Sequence, residues 1–307
     1  MDQNTIISKY EDILNKNSKY TMTGQMNIIS NEELYSYDVK VDYLKGDYYK
    51  ASLTNKETGH EQIILKNKSG VYVVTPNLNK SFKFQSDWPF NSSQAYILSS
   101  LLTDLKNDSN VLYEEKDKEY ILSSTVNYPN NSNLVSQKIV FSDEILPKKV
   151  IVYDKNGNES ITFIISKISF DTELDEKYFD VENSQSENCC EVTGNIDEVV
   201  YPMYLPVGTK FKSEETIKTD ETNRVILTFA GEKPFILIEE VSKSPKEFEI
   251  TTTSGELVFY ENVLGTLGAS SLNWTMDGKE YYLIGEDLTR EELLKVASST
   301  SVVSLTK

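Results

Sequence analysis

Between Tyr20 and Tyr43 apolar and polar residues alternate with a period of two. In "YTMTGQMNI", Tyr20, Met22, Gly24, Met26 and Ile28 alternate with Thr21, Thr23, Gln25 and Asn27. In the next run Tyr35, Tyr37, Val39, Val41 and Tyr43 alternate with Ser36, Asp38, Lys40 and Asp42. Successive side chains of a strand point to opposite faces, so this pattern demands strands with one buried face and rules out a helix here. Shorter runs at Tyr48–Leu53, Gln62–Leu65, Val71–Val74 and Ser81–Phe84 are separated by stretches with Gly, Asn or Lys. Together they predict an antiparallel up-and-down sheet.

Two helical patterns bracket these strands. Ile6, Ile7, Tyr10, Ile13 and Leu14 recur at helical spacing near the start. Ile97, Leu98, Leu101, Leu102 and Leu105 do so within a helix expected over about Ser92–Lys106. Strands then resume near Val111–Glu114, Tyr120–Tyr128, Leu134–Phe141, Lys148–Tyr153 and Glu159–Ser166, the last two joined by the turn pair Asn156–Gly157. A sheet of this length curls, and a half-barrel has an open concave face that needs cover. The two amphipathic helices supply that cover.

The alternation stops in "DVENSQSENCCEVTGN", residues 180–195, where acidic, Ser and Asn residues read as a linker. Beyond it, strands are expected near Arg224–Phe229, Phe235–Val241, Glu256–Tyr260 and Tyr281–Ile284. A final helix starts at Thr289, whose spacing to Glu292 is that of a capping box before Leu293, Leu294 and Val296. At 307 residues the chain is longer than one ordinary domain. The expected division is a half-barrel domain over 1–181, a linker over 182–198 and a smaller domain over 199–307.

Charge and residue chemistry exclude several functions. The formal charge of −17 repels nucleic acid and anionic membrane surfaces. Only Arg224 and Arg290 supply guanidinium groups, and no stretch approaches the ~20 apolar residues of a spanning helix. Cys189 and Cys190 are adjacent and read as exposed linker thiols, with a strained vicinal or an intermolecular disulfide as the alternative, and with the single His60 they fall short of a metal site. His60, in "NKETGHEQ", reads as a hairpin-tip residue rather than a catalytic base. The pairs Glu114–Glu115 and Glu239–Glu240 sit on strands, point to opposite faces and read as solvated charges. No phosphate loop is present. The expectation is therefore a non-enzymatic protein without cofactor. Nineteen tyrosines, with Tyr20, Tyr35, Tyr37, Tyr43, Tyr48, Tyr49 and Tyr72 on the first strands, suit either a packed core or the wall of an apolar cavity.

The order of elements, the first strand "KYTMTGQMNI" after an opening helix, and "SDEILPKKVIVYDKNGNESITFIISKISFDTELDEKYFDV" make residues from about 5 to 181 resemble the LolA/RseB-like lipoprotein-carrier fold. "YLPVGTKF" and "WTMDGKEYYLIGEDLTREELLKVASS" make about 200–303 resemble the small domain DUF4367. The pair is similar to sporulation-associated, membrane-anchored lipoproteins of Gram-positive spore formers. The resemblance implies an α+β fold: a curled antiparallel half-barrel covered by helices, plus a smaller C-terminal α+β domain. It also implies an extracytoplasmic lipoprotein whose signal and anchor segment lies outside this sequence, with membrane association through that anchor alone. A lipid or acyl ligand would lie between a wall of Met22, Met26, Val39, Val41 and Leu53 and a lid of Ile97, Leu98, Leu101 and Leu102. The alternative implied is a regulatory or adaptor protein whose scaffold docks a sensor, an anti-sigma factor or a cell-wall enzyme. Carriers of this kind latch the lid with a sheet arginine, and this chain has none before Arg224.

Overall fold

A computed structural model describes residues 1–184, 196, 198–219, 222–242 and 248–302. The chain forms two compact units: Met1–Val71 with Ser86–Asn183, and Tyr72–Gln85 with Ser184–Lys307. In chain order the first elements are α1 (Gln3–Lys16), β1 (Lys19–Ser30), β2 (Glu33–Leu44), β3 (Tyr48–Asn55), β4 (Glu61–Asn67), β5 (Gly70–Thr75), β6 (Lys80–Phe84) and α2 (Leu98–Asn107). There follow β7 (Leu112–Lys116), β8 (Glu119–Thr125), β9 (Leu134–Phe141), β10 (Pro147–Asp154) and β11 (Glu159–Ser169), then short 3-10 turns at Glu176–Phe179 and Val181–Ser184. Helix, six strands, helix and five strands is the expected order.

In the first unit the curled antiparallel sheet runs β4-β3-β2-β1-β11-β10-β9-β8-β7. Directly opposed residues share a face, so Met22 beside Val41, Met26 beside Phe163, and Val150 beside Ile139 set one continuous apolar wall. The helices cover that wall. Asp2 caps α1 by accepting from the Thr5 N–H at 2.8 Å, and Ile6 and Tyr10 are buried beneath it. From α2, Leu98, Leu101 and Leu105 are buried.

The second helix begins at Leu98, six residues later than expected. Ser93 exchanges bonds with the loop after β8: its N–H donates to Asn127 O at 2.7 Å and its Oγ accepts from Asn127 N at 2.8 Å. The Gln94 N–H donates to Ser100 Oγ at 2.8 Å. Those tertiary bonds hold Ser92–Ile97 as loop against its helical propensity.

The second unit adds β12 (Val200–Pro202), β13 (Thr209–Lys218), β14 (Thr222–Gly231), β15 (Phe235–Ser242), β16 (Glu249–Thr252), β17 (Glu256–Tyr260), β18 (Val263–Leu267), β19 (Ser271–Met276), β20 (Lys279–Ile284), α3 (Arg290–Ser298) and β21 (Thr300–Val302). Seven of these strands form a sheet in the order β13-β14-β15-β20-β19-β18-β17. β12 pairs with β21, and β16 pairs in parallel with β6. The capping box of Thr289 and Glu292 is present, and Leu293, Leu294, Val296 and Ala297 join a core with Leu237, Trp274 and Tyr281. The fold is α+β, a curled antiparallel sheet covered by helices with a smaller α+β unit after it.

Candidate functional site

The register gathers most of the anticipated wall. Val41 lies opposite Met22, Val39 opposite Gly24, and Leu53 opposite Val39; Met26 follows on the same face of β1. Those five side chains are buried, as are Ile97, Leu98 and Leu101, whereas Leu102 is half-buried at the rim of α2. Buried rings of the chain pack on this wall. The Tyr10 ring meets Phe141 at 5.1 Å between centroids, and its hydroxyl donates to Leu98 O at 2.9 Å, which ties α1 to α2. Phe163 stands over Gly24, where a Cβ would lie 2.7 Å from its ring. Glycine at position 24 is what lets that ring lie down on β1.

The opposite face of β2–β4 is covered as well. Asp175 caps the turn Glu176–Phe179, and Phe179 is fully buried with its ring 5.6 Å from Tyr48. Asn67 Nδ2 donates to Phe179 O at 3.0 Å. Tyr178 donates from its hydroxyl to Asp42 Oδ2 at 2.7 Å, Thr21 Oγ1 donates to Asp42 Oδ1 at 2.6 Å, and Lys40 Nζ lies 2.9 Å away. Asp42 is thus buried with both carboxylate oxygens engaged. Lys50 Nζ sits 4.8 Å above the Tyr178 ring, and burial holds its pKa below the ordinary lysine value.

A row of aromatic rings leads from the wall to a cavity. Tyr20 stacks on Tyr43 at 5.1 Å, Tyr43 lies 4.9 Å from Tyr49, and Tyr49 meets Phe90 edge-on at 6.0 Å. Lys66 Nζ lies 4.4 Å over the Phe90 ring. The cavity, of about 120 Å³, is lined by Pro89, Phe90, Ser92, Ser93, Ser99, Ser100, Thr103, Asp104, Asn107 and Asn127. Asp104 is its one ionisable group. Ser93 Oγ donates to Asp104 Oδ1 at 2.8 Å, and Gln137 Nε2 donates to Asp104 Oδ2 at 2.9 Å. Burial pushes the Asp104 carboxyl up to about 6, against the opposing effect of these two neutral donors. Gln137 Oε1 is buried and has no hydrogen-bond partner.

Sequence reasoning did not single out this constellation. One signal existed: Asp104 follows Ile97 by seven residues, two helical turns, which places an acid in the arc that packs on the sheet. Ser93 and Gln137 reach it only through the fold.

The remaining candidates separate clearly. His60 lies at the tip between β3 and β4, and Glu114 and Glu115 are exposed on β7. Glu239 and Glu240 correct the expectation of solvated charges, because both are buried. Glu239 accepts from Lys279 Nζ at 2.6 Å and from Val200 N at 3.1 Å. Glu240 accepts from Arg224 Nε at 2.8 Å and Nη2 at 2.5 Å. A cation on the neighbouring strand makes each burial tolerable. Cys189 and Cys190 lie outside the described residues. Among the described residues no three His, Cys, Asp or Glu side chains are grouped to hold a metal ion, and no helix is long and apolar enough to cross a membrane.

No protein-family model matches the chain. Among solved structures, the complex of Pseudomonas aeruginosa MucA/MucB is similar over 98% of this chain and 99% of the matched chain, at 12% identity and a TM-score of 0.35. A LolA superfamily protein from Nitrosomonas europaea is similar over 60% of this chain and 99% of its own, at 15% identity and a TM-score of 0.34. The sporulation protein YdcC of Bacillus subtilis (strain 168) is 34% identical over 303 residues, which span 97% of this chain and 90% of that protein. Identity at that level over nearly the full length of both means that the chain belongs to the family of YdcC.

Proposed function

We propose that this protein is a non-enzymatic, extracytoplasmic binding protein of sporulation or envelope biogenesis that works by docking a membrane or cell-wall protein. One observation carries the choice of docking over acyl transport. Buried rings pack against the wall on which an acyl chain would lie: Tyr10 meets Phe141, and Phe163 is seated on Gly24. Packed rings of this kind are exchanged for a ligand only at the cost of their own buried contacts. The sporulation context is supported by membership of the family of a sporulation protein. A lipid anchor preceding this sequence, an adaptor half-barrel over 1–181 whose Tyr72–Gln85 segment groups with the second unit, a linker over 182–198 that lies mostly outside the described residues, and a DUF4367-type domain over 199–307 complete the reading.

The acyl-carrier reading keeps one observation in its favour. Met22, Met26, Val39, Val41, Leu53, Ile97, Leu98 and Leu101 are all buried and apolar, and each Å² of acyl surface removed from water is worth about 25 cal/mol. Native mass spectrometry of protein purified from its own host decides between them: a stoichiometric protein partner upholds docking, and co-purifying lipid overturns it. Leu101→Ala adds an independent readout. In a packed interior it costs about 2–5 kcal/mol in denaturant unfolding, and beside an open ligand cavity much less.

A further inference from the structure

The cavity beside Asp104 is lined by hydroxyls, the amides of Asn107 and Asn127, and one carboxylate. The Ser93 hydroxyl proton is committed to Asp104 and the Thr103 hydroxyl proton to Ser99 O, at 2.8 and 2.9 Å, so both oxygens face a visitor with lone pairs only. Asp104 adds a carboxylate, and no lysine, arginine or histidine lines the space. Burial, Ser93 and Gln137 are what act on that carboxylate, and none of them carries a charge. The buried glutamates of the second unit differ, since Glu239, Glu240 and Glu280 lie against Lys279, Arg224 and Lys80 at 2.6, 2.5 and 2.7 Å.

A half-buried carboxylate with no cation lining its cavity selects for positive charge. A phosphate or carboxylate ligand is repelled. A divalent cation needs more anionic oxygen than one carboxylate supplies. A neutral sugar leaves the carboxylate's charge uncompensated. A primary ammonium brings three donors, no acceptor and one positive charge. The volume of about 120 Å³ suits such a head group and falls below the range of ordinary drug-sized pockets, about 300–1,000 Å³. Pro89 and Phe90 give the cavity an apolar wall for a methylene stem, and Phe90 is 55% exposed. The molecule's charge of −17 draws cations toward it.

We propose that the cavity formed by Phe90, Ser93, Thr103, Asp104 and Asn127 is a binding site for a primary ammonium group on an aliphatic stem, of the kind carried by a lysine side chain or a small free amine. The site stands apart from the docking reading, because its argument uses the cavity alone and would survive if the protein carried lipid.

The experiment titrates the full chain with n-butylamine and with Nα-acetyl-lysine methylamide at pH 7.5, followed by amide chemical shifts or calorimetry. Saturable binding that perturbs residues 89–107 is expected, weakened about tenfold or more by Asp104→Asn. Tighter binding of the lysine derivative marks a protein lysine as the natural source, and tighter binding of butylamine marks a free amine; either upholds the site. Thr103→Trp, at an exposed position on the cavity rim, blocks the space without touching the core and abolishes binding even if Asp104→Asn folds poorly. Four outcomes overturn the proposal: no saturable binding, binding unchanged in a folded Asp104→Asn, binding unchanged in Thr103→Trp, or equal binding of Nα-acetyl-arginine methylamide or glucose.

Discussion

The two units bury acids by different means. In the second, Glu239, Glu240 and Glu280 each meet a lysine or arginine from another strand. In the first, Asp42 has Lys40 at its edge and two hydroxyl donors, while Asp104 has only Ser93 and Gln137. Neutral donors satisfy oxygen lone pairs without cancelling charge, so Asp104 keeps a pull on external cations that the paired glutamates have lost. The sheets differ too. β14 alternates half-buried and buried residues along nearly its whole length, whereas Tyr48–Ala51 on β3 and Ile63–Leu65 on β4 are buried without a break. A strand covered on both faces loses its period-two signature.

The largest expected effect tests the paired acids. Lys279→Met leaves Glu239, 2% exposed at its side chain, without its cation, and should cost about 3–5 kcal/mol in denaturant unfolding at pH 7. The double variant Lys279→Met with Glu239→Leu should recover much of that. A single-variant loss under about 1 kcal/mol would erase the contrast with Asp104.

Next comes the concave face. Gly24→Ala places a Cβ 2.4 Å from Ile164 O and 2.7 Å from the Phe163 ring, so the ring must leave or the strands must part. A loss of about 1–3 kcal/mol is expected, with Phe163 ring resonances shifted. A neutral Gly24→Ala would mean that the ring moves freely, and would return weight to the acyl-carrier reading.

The convex face gives a smaller effect. Tyr178→Phe removes the hydroxyl that donates to buried Asp42 and leaves Thr21 and Lys40 in place. About 1–2 kcal/mol is expected. Earlier proteolytic cleavage within residues 170–184 would show that this bond fastens the segment to β2. Cleavage unchanged from wild type would mean that its other contacts, the buried Phe179 ring and the Lys68–Glu176 ion pair among them, hold the segment.

Much of this arrangement was legible in the sequence, and the exceptions have physical causes. On β1 and β2 the buried apolar side chains share one face, so Met22, Met26, Val39 and Val41 reported their orientation through alternation. β13 was silent because nearly all of it is exposed: "TKFKSEETIK" is held by its backbone ladder to β14, which imposes no apolar period. β18 and β19 are short, and Gly265 lacks a side chain because a Cβ there would lie 2.2 Å from Asn273 O. Glu239 and Glu240 looked solvated because strand chemistry alone does not reveal that Arg224 and Lys279 stand beside them. The Asp104 cavity needed contacts between residues 33 positions apart, which no local pattern encodes.

The smallest effect concerns Asp104 itself and is read through pH. Its carboxyl has an ordinary value of 3.8, to which the unfolded chain returns, and burial raises it to about 6 in the fold. Below pH 3.8 both states hold the proton, and protonation contributes its full share to stability. As pH rises, the unfolded chain releases its proton first, and the contribution shrinks until it is gone above about pH 6. Wild type should therefore gain on Asp104→Asn between pH 8 and pH 5, by on the order of 1 kcal/mol, as the half-buried charge is neutralised. Asparagine is accommodated because Gln137 Oε1, which has no partner, can accept from its amide once the Gln137 side chain turns over. Bound butylamine should oppose the trend, since an ammonium beside the carboxylate favours its charged form. A stability difference that stays flat from pH 5 to pH 8 would mean that Asp104 is solvated, and the contrast between the two units would then rest on the glutamates alone.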